Sequence, residues 1–383
     1  MLRAIINGRI ITETEILDDH VLIFNETIES ILPKAEWSSE NVEEIIDAYG
    51  DYVSPGFIDV HIHGVAGCDT MDGTSYSLQK IADTVIKTGV TSILATTMTQ
   101  EAEAIHKALA NIRTFMGNQS EGANILGAHM EGPYISKQYK GAQDEKNIQK
   151  PDMDFVEKYA DVIKMITFAP EVEGAEIFIE SMKNYPNIVL SIGHSGATFK
   201  QASKAYENGV RHITHCFNAM SPLHHREPGV VGAALSKPFS CELICDNIHV
   251  SPDFYQGFVD IKGKDKTVLI TDSMRAGCLK EGTYELGGQE VIVEEGSVRL
   301  HDGTLAGSVL TLNKAIKNVS SETSLSIVET IYMASMAPAK VIGIDNRKGS
   351  IASRKDADIC IHDENMIIRS TFVNGICQYR SEQ

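Results

Sequence analysis

The chain has 383 residues, of which 43% are hydrophobic and 22% charged, and a formal net charge of −18 at pH 7. That length accommodates one large barrel or two domains with a sizeable core and excludes a small scaffold dependent on disulfides. The acidic balance argues against non-specific nucleic-acid binding and docking on anionic membranes, although a local basic pocket can still sit within such a surface.

Residues 1 to about 53 read as short strands. Residues 3–6 and 9–12 flank Asn7-Gly8, a strong hairpin signal. Residues 20–24 and 27–32 flank a second turn, Pro33 ends that run, and residues 42–47 make a further strand before Gly50. The N-terminal residues lack the apolar core of a signal peptide and no apolar run reaches transmembrane length, so a cytoplasmic location is expected.

From about residue 54 the pattern changes to strand, loop and helix in repetition. Leu78, Ile81, Ala82, Val85 and Ile86 share one helical face, with Gly89 as its stop, and Ile105, Leu109, Ile112 and Met116 make a second such face. Between the helices lie eight apolar runs typical of buried parallel strands: 57–61, 92–96, 125–130, 162–168, 188–192, 212–216, 242–245 and 267–271. Eight such units predict an α/β fold built on a (β/α)8 barrel. Residues 282–302 read as an inserted hairpin around Gly287-Gly288.

The far end returns to strands at 357–362 and 367–373, with Asn374-Gly375 turning into 376–379. Both termini are therefore predicted to build one small β-sandwich domain, residues 1–53 plus 346–383, around a catalytic barrel of residues 54–345. The seven cysteines are odd in number and scattered. Cys241 and Cys245 are four strand residues apart, a span of about 13 Å, too wide for one zinc ion or one disulfide, so they are predicted to be core.

The chemistry concentrates where predicted strands end. The first run closes on His61-Ile62-His63-Gly64. Side chains two apart on a strand point the same way, so both imidazoles can lean toward one ion, and Gly64 lets the backbone leave the strand end freely. The third run ends at His129-Met130-Glu131-Gly132-Pro133, the fifth at Gly193-His194-Ser195, the sixth carries Thr214-His215-Cys216, and the eighth ends at Thr271-Asp272. Singly, His194 and His215 read equally well as hydrogen-bonded core histidines, Glu131 as a loop acid and Asp272 as a helix N-cap. Jointly, five strand ends on one barrel rim carry ligand-type residues, which points to a divalent metal site. Such an ion acidifies bound water and polarises a carbonyl oxygen; Asp272, on a separate strand, is the candidate acid/base. The implied reaction is hydrolysis of an amide, ester or related bond.

These motifs, together with Phe217-Asn218-Ala219-Met220, Arg226-Glu227-Pro228-Gly229, Ser273-Met274-Arg275-Ala276 and Leu305-Ala306-Gly307-Ser308, resemble the amidohydrolase superfamily over essentially the whole chain. More narrowly, they resemble its family of N-acetylglucosamine-6-phosphate deacetylases. The resemblance implies Glu131, His194 and His215 as ligands of the main ion, His61 and His63 as a second metal position, and Asp272 as general acid/base. One or two divalent ions per subunit are expected, zinc foremost, with iron, cobalt or manganese suited to the same donors. It also implies a phosphorylated amino-sugar substrate contacted by Asn218, Ala219, Leu305 and Ala306. The implied assembly is a homodimer in which Arg226 and His249 reach the neighbouring site to bind phosphate, a role that suits a bidentate guanidinium.

Two positions depart from the family. Gln143 stands where some members carry a substrate-contacting histidine, and an amide hydrogen-bonds without titrating near neutrality. Asn247 stands where glycine is frequent. Competing readings are a cyclic amidase, disfavoured because Glu131 occupies the place of a carboxylated lysine, a deacetylase for the galactosamine epimer, and a non-catalytic scaffold, disfavoured because no ligand is missing.

Overall fold

The computed structural model describes residues 1–382. Eight parallel strands pair in chain order: β1 (Phe57–Ile62), β2 (Val90–Thr97), β3 (Asn124–Glu131), β4 (Ile163–Phe168), β5 (Val189–Ile192), β6 (His212–Ile213), β7 (Ser240–Ile244) and β8 (Thr267–Ile270). The ring closes just past β8, where the Asp272 N–H donates to the His61 carbonyl (2.9 Å) and the His63 N–H to the Ser273 carbonyl (2.9 Å). Every residue of β1, β2, β7 and β8 is buried, as continuous apolar runs require when side chains fill the interior on one face and meet helices on the other.

The helices follow their apolar faces. Helix α1 (Ser75–Val85) starts where the Thr74 hydroxyl accepts the Ser77 N–H, and it buries Leu78, Ile81, Ala82 and Val85. A 3-10 turn then runs to Gly89 at φ 81°. Helix α2 (Ala102–Met116) buries Ile105, Leu109 and Ile112. The remaining crossovers are α3 (Met153–Lys158), α4 (Ala175–Met182), α5 (Phe199–Glu207), α6 (Gly229–Ser236), α7 (Tyr255–Lys262) and, after the insert, α8 (Leu312–Glu322). None of the described helices is long and apolar enough to cross a membrane.

The insert has one strand more than a hairpin. Gly282–Leu286, Gln289–Glu294 and Ser297–Arg299 form an antiparallel sheet. Its Leu286, Val291, Val293 and Val298 pack on Met98, Ala142 and Met274 of the barrel rim. Arg275 fastens it by pairing with Asp72 (3.1 Å) and Glu285 (2.9 Å).

Strands from both chain ends join one eight-stranded sheet. That sheet folds over, so Phe24 meets Phe372 edge-on at 5.6 Å around a separate apolar core. The hairpin expected at Asn7-Gly8 is instead a bulge within one strand, Arg3–Ile11. The bulge lets the strand switch partner, pairing with Glu44–Asp47 before it and with Tyr52–Pro55 after it. Asn7 takes φ 55°, and a Cβ on Gly8 would lie 2.5 Å from the Val53 side chain, so close packing explains the glycine. Buried Lys348 pairs with Asp358 (2.5 Å) and Asp356 (3.1 Å), and the Asp358 carbonyl accepts the Gly56 N–H (2.9 Å), fixing the sheet where the barrel begins.

Candidate active site

Chain segments up to 211 residues apart converge at the C-terminal rim. The Glu131 carboxylate lies at the centre of the cluster. Its Oε1 lies 3.1 Å from His215 Nε2, 3.2 Å from His194 Nε2 and 3.3 Å from His61 Nε2; its Oε2 lies 3.4 Å from His63 Nε2. Asp272 Oδ1 is 3.3 Å from His63 Nε2 and 3.5 Å from His61 Nε2. Three metal-capable groups result among the described residues: Glu131 with His194 and His215, His61 with His63 and Asp272, and, deeper in the barrel, His61 with His129 and Glu242, whose facing atoms are already hydrogen-bonded.

The donors fit a cation. His194 Nδ1 faces the Tyr139 carbonyl at 3.0 Å, an acceptor that orients the ring, and Nε2 is thereby directed into the cluster. That Nε2 lies 3.1 Å from His215 Nε2. Two imidazole nitrogens at this distance beside a carboxylate match the edge of a tetrahedral donor set, about 3.3 Å for bonds near 2.05 Å. His61 repeats the pattern: Nδ1 faces Glu242 Oε2 at 2.9 Å, and Nε2 is buried with no hydrogen-bond partner.

Electrostatics agree with a site built for positive charge. Burial raises the Glu131 carboxyl, but the charges of His194 and His61 and the hydrogen bonds of His194 and His215 hold it well below its ordinary range. Burial disfavours charge on His63, yet hydrogen bonds to Asp272 and Glu131 push it up to about 10. For Asp272, burial is outweighed by His61 and by the hydrogen bond and charge of His63, so its carboxyl falls below the usual range. Asp272 therefore rests as a carboxylate, the form that takes a proton.

The backbone is strained where the site is made. His194 (φ 47°), His215 (φ 27°) and Asp272 (φ 49°) are left-handed, as are Phe217 (φ 82°) and Ala219 (φ 48°). Each costs on the order of 1–3 kcal/mol and persists because its surroundings over-determine it. Asp272 is clamped by its N–H bond to His61 and by the Ser308 N–H donating to its carbonyl (2.8 Å). After β1, a Cβ on Gly64 would lie 2.1 Å from the Cys68 carbonyl, so the chain can turn there only with glycine.

A cavity of about 420 Å³ opens above the cluster. His63, Glu131, His194, His215 and Asp272 line it, with Gln143, Asn218, Ala219, His249 and Leu305 among its other walls. Gln143 is engaged at both ends: its Nε2 donates to Glu131 Oε2 (2.7 Å) and its Oε1 accepts the Thr99 N–H (2.6 Å). His61 is fully buried. Ala306 lies in the core beneath the insert, its N–H bonded to the Val298 carbonyl (3.0 Å).

The two residues expected to bind phosphate lie in different places. His249 lines its own chain's cavity, where the loop after β7 rises at the same rim and Asp246 Oδ2 holds its Nδ1 at 2.7 Å. Arg226 is exposed on the 221–228 segment, bonded to His225 Nε2 (2.6 Å), and does not line its own cavity. Asn247, at φ 66°, adopts the left-handed backbone that glycine favours and asparagine tolerates, with Tyr255 bonded to its N–H (2.9 Å) and Oδ1 (3.0 Å).

Three residues of the site escaped the sequence reading. Glu242 is wholly buried; its Oε2 meets His61 Nδ1 and the His215 N–H (2.9 Å), and its Oε1 meets His212 Nε2 (3.2 Å). One carboxylate thus orients a histidine of each group. Asp59, also buried, ties β1 to the end of β8 through Thr271 Oγ1 (2.6 Å). The signal for both was an acid inside an otherwise apolar strand. The third, Arg299, lines the cavity from the insert. His129, by contrast, is a satisfied core histidine, bonded to the Val60 carbonyl (3.0 Å) and Thr167 Oγ1 (2.7 Å), and burial pushes it down to about 3.

Residues 52–377 match the model of the amidohydrolase family. The chain is 39% identical to an N-acetylglucosamine-6-phosphate deacetylase of Bacillus subtilis (strain 168), over 98% of this chain and 96% of the relative. It is 36% identical to an N-acetylgalactosamine-6-phosphate deacetylase of Escherichia coli O157:H7, over 96% and 97% respectively. Its fold superposes on the crystal structure of an N-acetylglucosamine-6-phosphate deacetylase from Pasteurella multocida with a TM-score of 0.95 at 32% identity, covering 100% of both chains.

Proposed function

The chain belongs to the amidohydrolase family, and from that premise we propose that it removes the acetyl group from N-acetylglucosamine 6-phosphate, giving glucosamine 6-phosphate and acetate. The observation that carries this reading is the meeting of Glu131, His194 and His215 within 3.2 Å of one another, beside Asp272, at the floor of one cavity.

In this reading Glu131, His194 and His215 hold the principal divalent ion, and His61 with His63 offers a second position. Zinc is our first assignment; iron, cobalt and manganese suit the same donors. When bound, the ion supplies acidified water and polarisation of the acetyl carbonyl oxygen. Asp272 takes the proton of the attacking water on its carboxylate and returns it to the sugar nitrogen as the carbon–nitrogen bond breaks. Glu242 keeps His61 protonated at Nδ1, so that Nε2 stays free for the site. Gln143 fixes Glu131 Oε2 without itself titrating, so it orients and does not shuttle protons. Asn218, Ala219 and Leu305 bound the space for the sugar, and His249 offers its ring to the phosphate. We assign Arg226, exposed in the single chain, to the phosphate of the neighbouring subunit in a homodimer. The cytoplasmic location expected from the sequence goes with this reading.

The galactosamine epimer is the second reading, because a relative named for that substrate is 36% identical over 96% of the chain. Acetate release by the metal-replete protein, measured on both 6-phosphorylated N-acetylhexosamines, separates the two. The expected result is acetate from both, with kcat/KM favouring the glucosamine form. Faster release from the galactosamine form would transfer the assignment to that epimer, and no acetate from either would contradict the reaction itself.

A further inference from the structure

We propose that Arg299, on the last strand of the insert, is a substrate-binding residue that holds the anionic 6-substituent of the sugar from within the same chain. The proposal rests on the deacetylase reading above and adds a contact which that reading does not contain.

Arg299 lines the cavity together with Gly303, Thr304 and Leu305. Its guanidinium pairs with no carboxylate among the described residues, although the chain carries 52 acidic residues against 34 basic ones. Arg275, which fastens the insert to the barrel rim, pairs with two acids. His249, the other cation-forming side chain on the upper wall, is already matched by Asp246. Arg299 is thus an exposed guanidinium at the cavity rim with no carboxylate partner, and a phosphorylated sugar entering the cavity brings an anion that can take that place.

The guanidinium is also positioned. Its Nη1 donates to the Gly303 carbonyl (2.9 Å), across a turn closed by the Leu300 N–H and the Thr304 carbonyl (2.9 Å). That contact leaves Nε and Nη2, one edge of the fork, for two parallel bonds to anionic oxygens. The strand beneath is held in place, with Val298 buried in the core of the insert and Arg299 bridged to Leu305 of the wall.

Arg299→Met keeps most of the stem and removes the charge, and Arg299→Lys restores charge without the fork. For Arg299→Met the expected result is a KM for N-acetylglucosamine 6-phosphate raised about 10- to 100-fold. Its kcat, and the kinetics of unphosphorylated N-acetylglucosamine, should stay within about twofold, and Arg299→Lys should recover part of the loss. Unchanged KM, or equal losses on both substrates, would overturn the proposal. Binding of glucose 6-phosphate against glucose, by calorimetry on the metal-replete protein, tests the anion contact apart from deacetylation. Phosphate-dependent binding lost in Arg299→Met upholds the contact even if no acetate is released. A phosphate preference that survives in the variant refutes the contact even if the enzyme is a deacetylase.

Discussion

Asp272→Asn is expected to lower kcat by about 10²- to 10⁴-fold while the protein still carries at least one ion per chain. The amide preserves the shape of the side chain, and the N–H bond to His61 and the Ser308 bond at the carbonyl belong to the backbone, so the left-handed geometry of residue 272 survives. What disappears is the proton acceptor. Asp272 faces His63 and His61 at 3.3 and 3.5 Å but lies outside the group of Glu131, His194 and His215, which should keep its ion. KM should change little, because the sugar contacts assigned to Asn218, Ala219 and Leu305 are untouched. Turnover near that of the parent enzyme, measured beside elemental analysis, would mean that Asp272 is not the base.

Glu131→Gln should act earlier, on the ion itself. The Glu131 oxygens approach four imidazoles within 3.4 Å, and no other carboxylate stands in the group with His194 and His215. A neutral amide cannot balance an ion there, and its NH2 would face either ring nitrogens or the Gln143 donor. Outer partners of metal ligands are worth about 10- to 100-fold in affinity, so loss of the shared carboxylate should exceed about 100-fold, with turnover lost in proportion. Titration of the metal-free variant with zinc, set against the parent protein, reads the shift. Parent-like affinity would remove Glu131 from the ligand set.

Much of this was legible in the sequence because burial on both faces leaves a plain trace. The eight parallel strands are largely buried and mostly apolar, so each appeared as a run, and His61, Glu131, His194, His215 and Asp272 appeared as polar residues where those runs stop. Strand ends were less legible: β6 is only His212–Ile213, because His215 and the residues after it turn into the site. The Asn7-Gly8 reading failed for a different reason. The same left-handed pair that closes a hairpin also makes a bulge, and only the partners of the strand, Glu44–Asp47 and Tyr52–Pro55, decide between them. Glu242 was hidden inside a predicted strand, since its role depends on His61, 181 positions away. That His249 lines its own chain's cavity depends on how the loop after β7 turns, which spacing along the chain does not encode.

The central claim is that Glu131, His194 and His215 hold a divalent ion at the cavity floor. Anomalous diffraction from crystals of the protein as isolated tests it most directly. The expected result is a peak bounded by Glu131 Oε1, His194 Nε2 and His215 Nε2, at bonding distances of about 2.0–2.2 Å. Fully metal-loaded crystals with no peak among those three atoms, or with their only peak elsewhere in the chain, would contradict it.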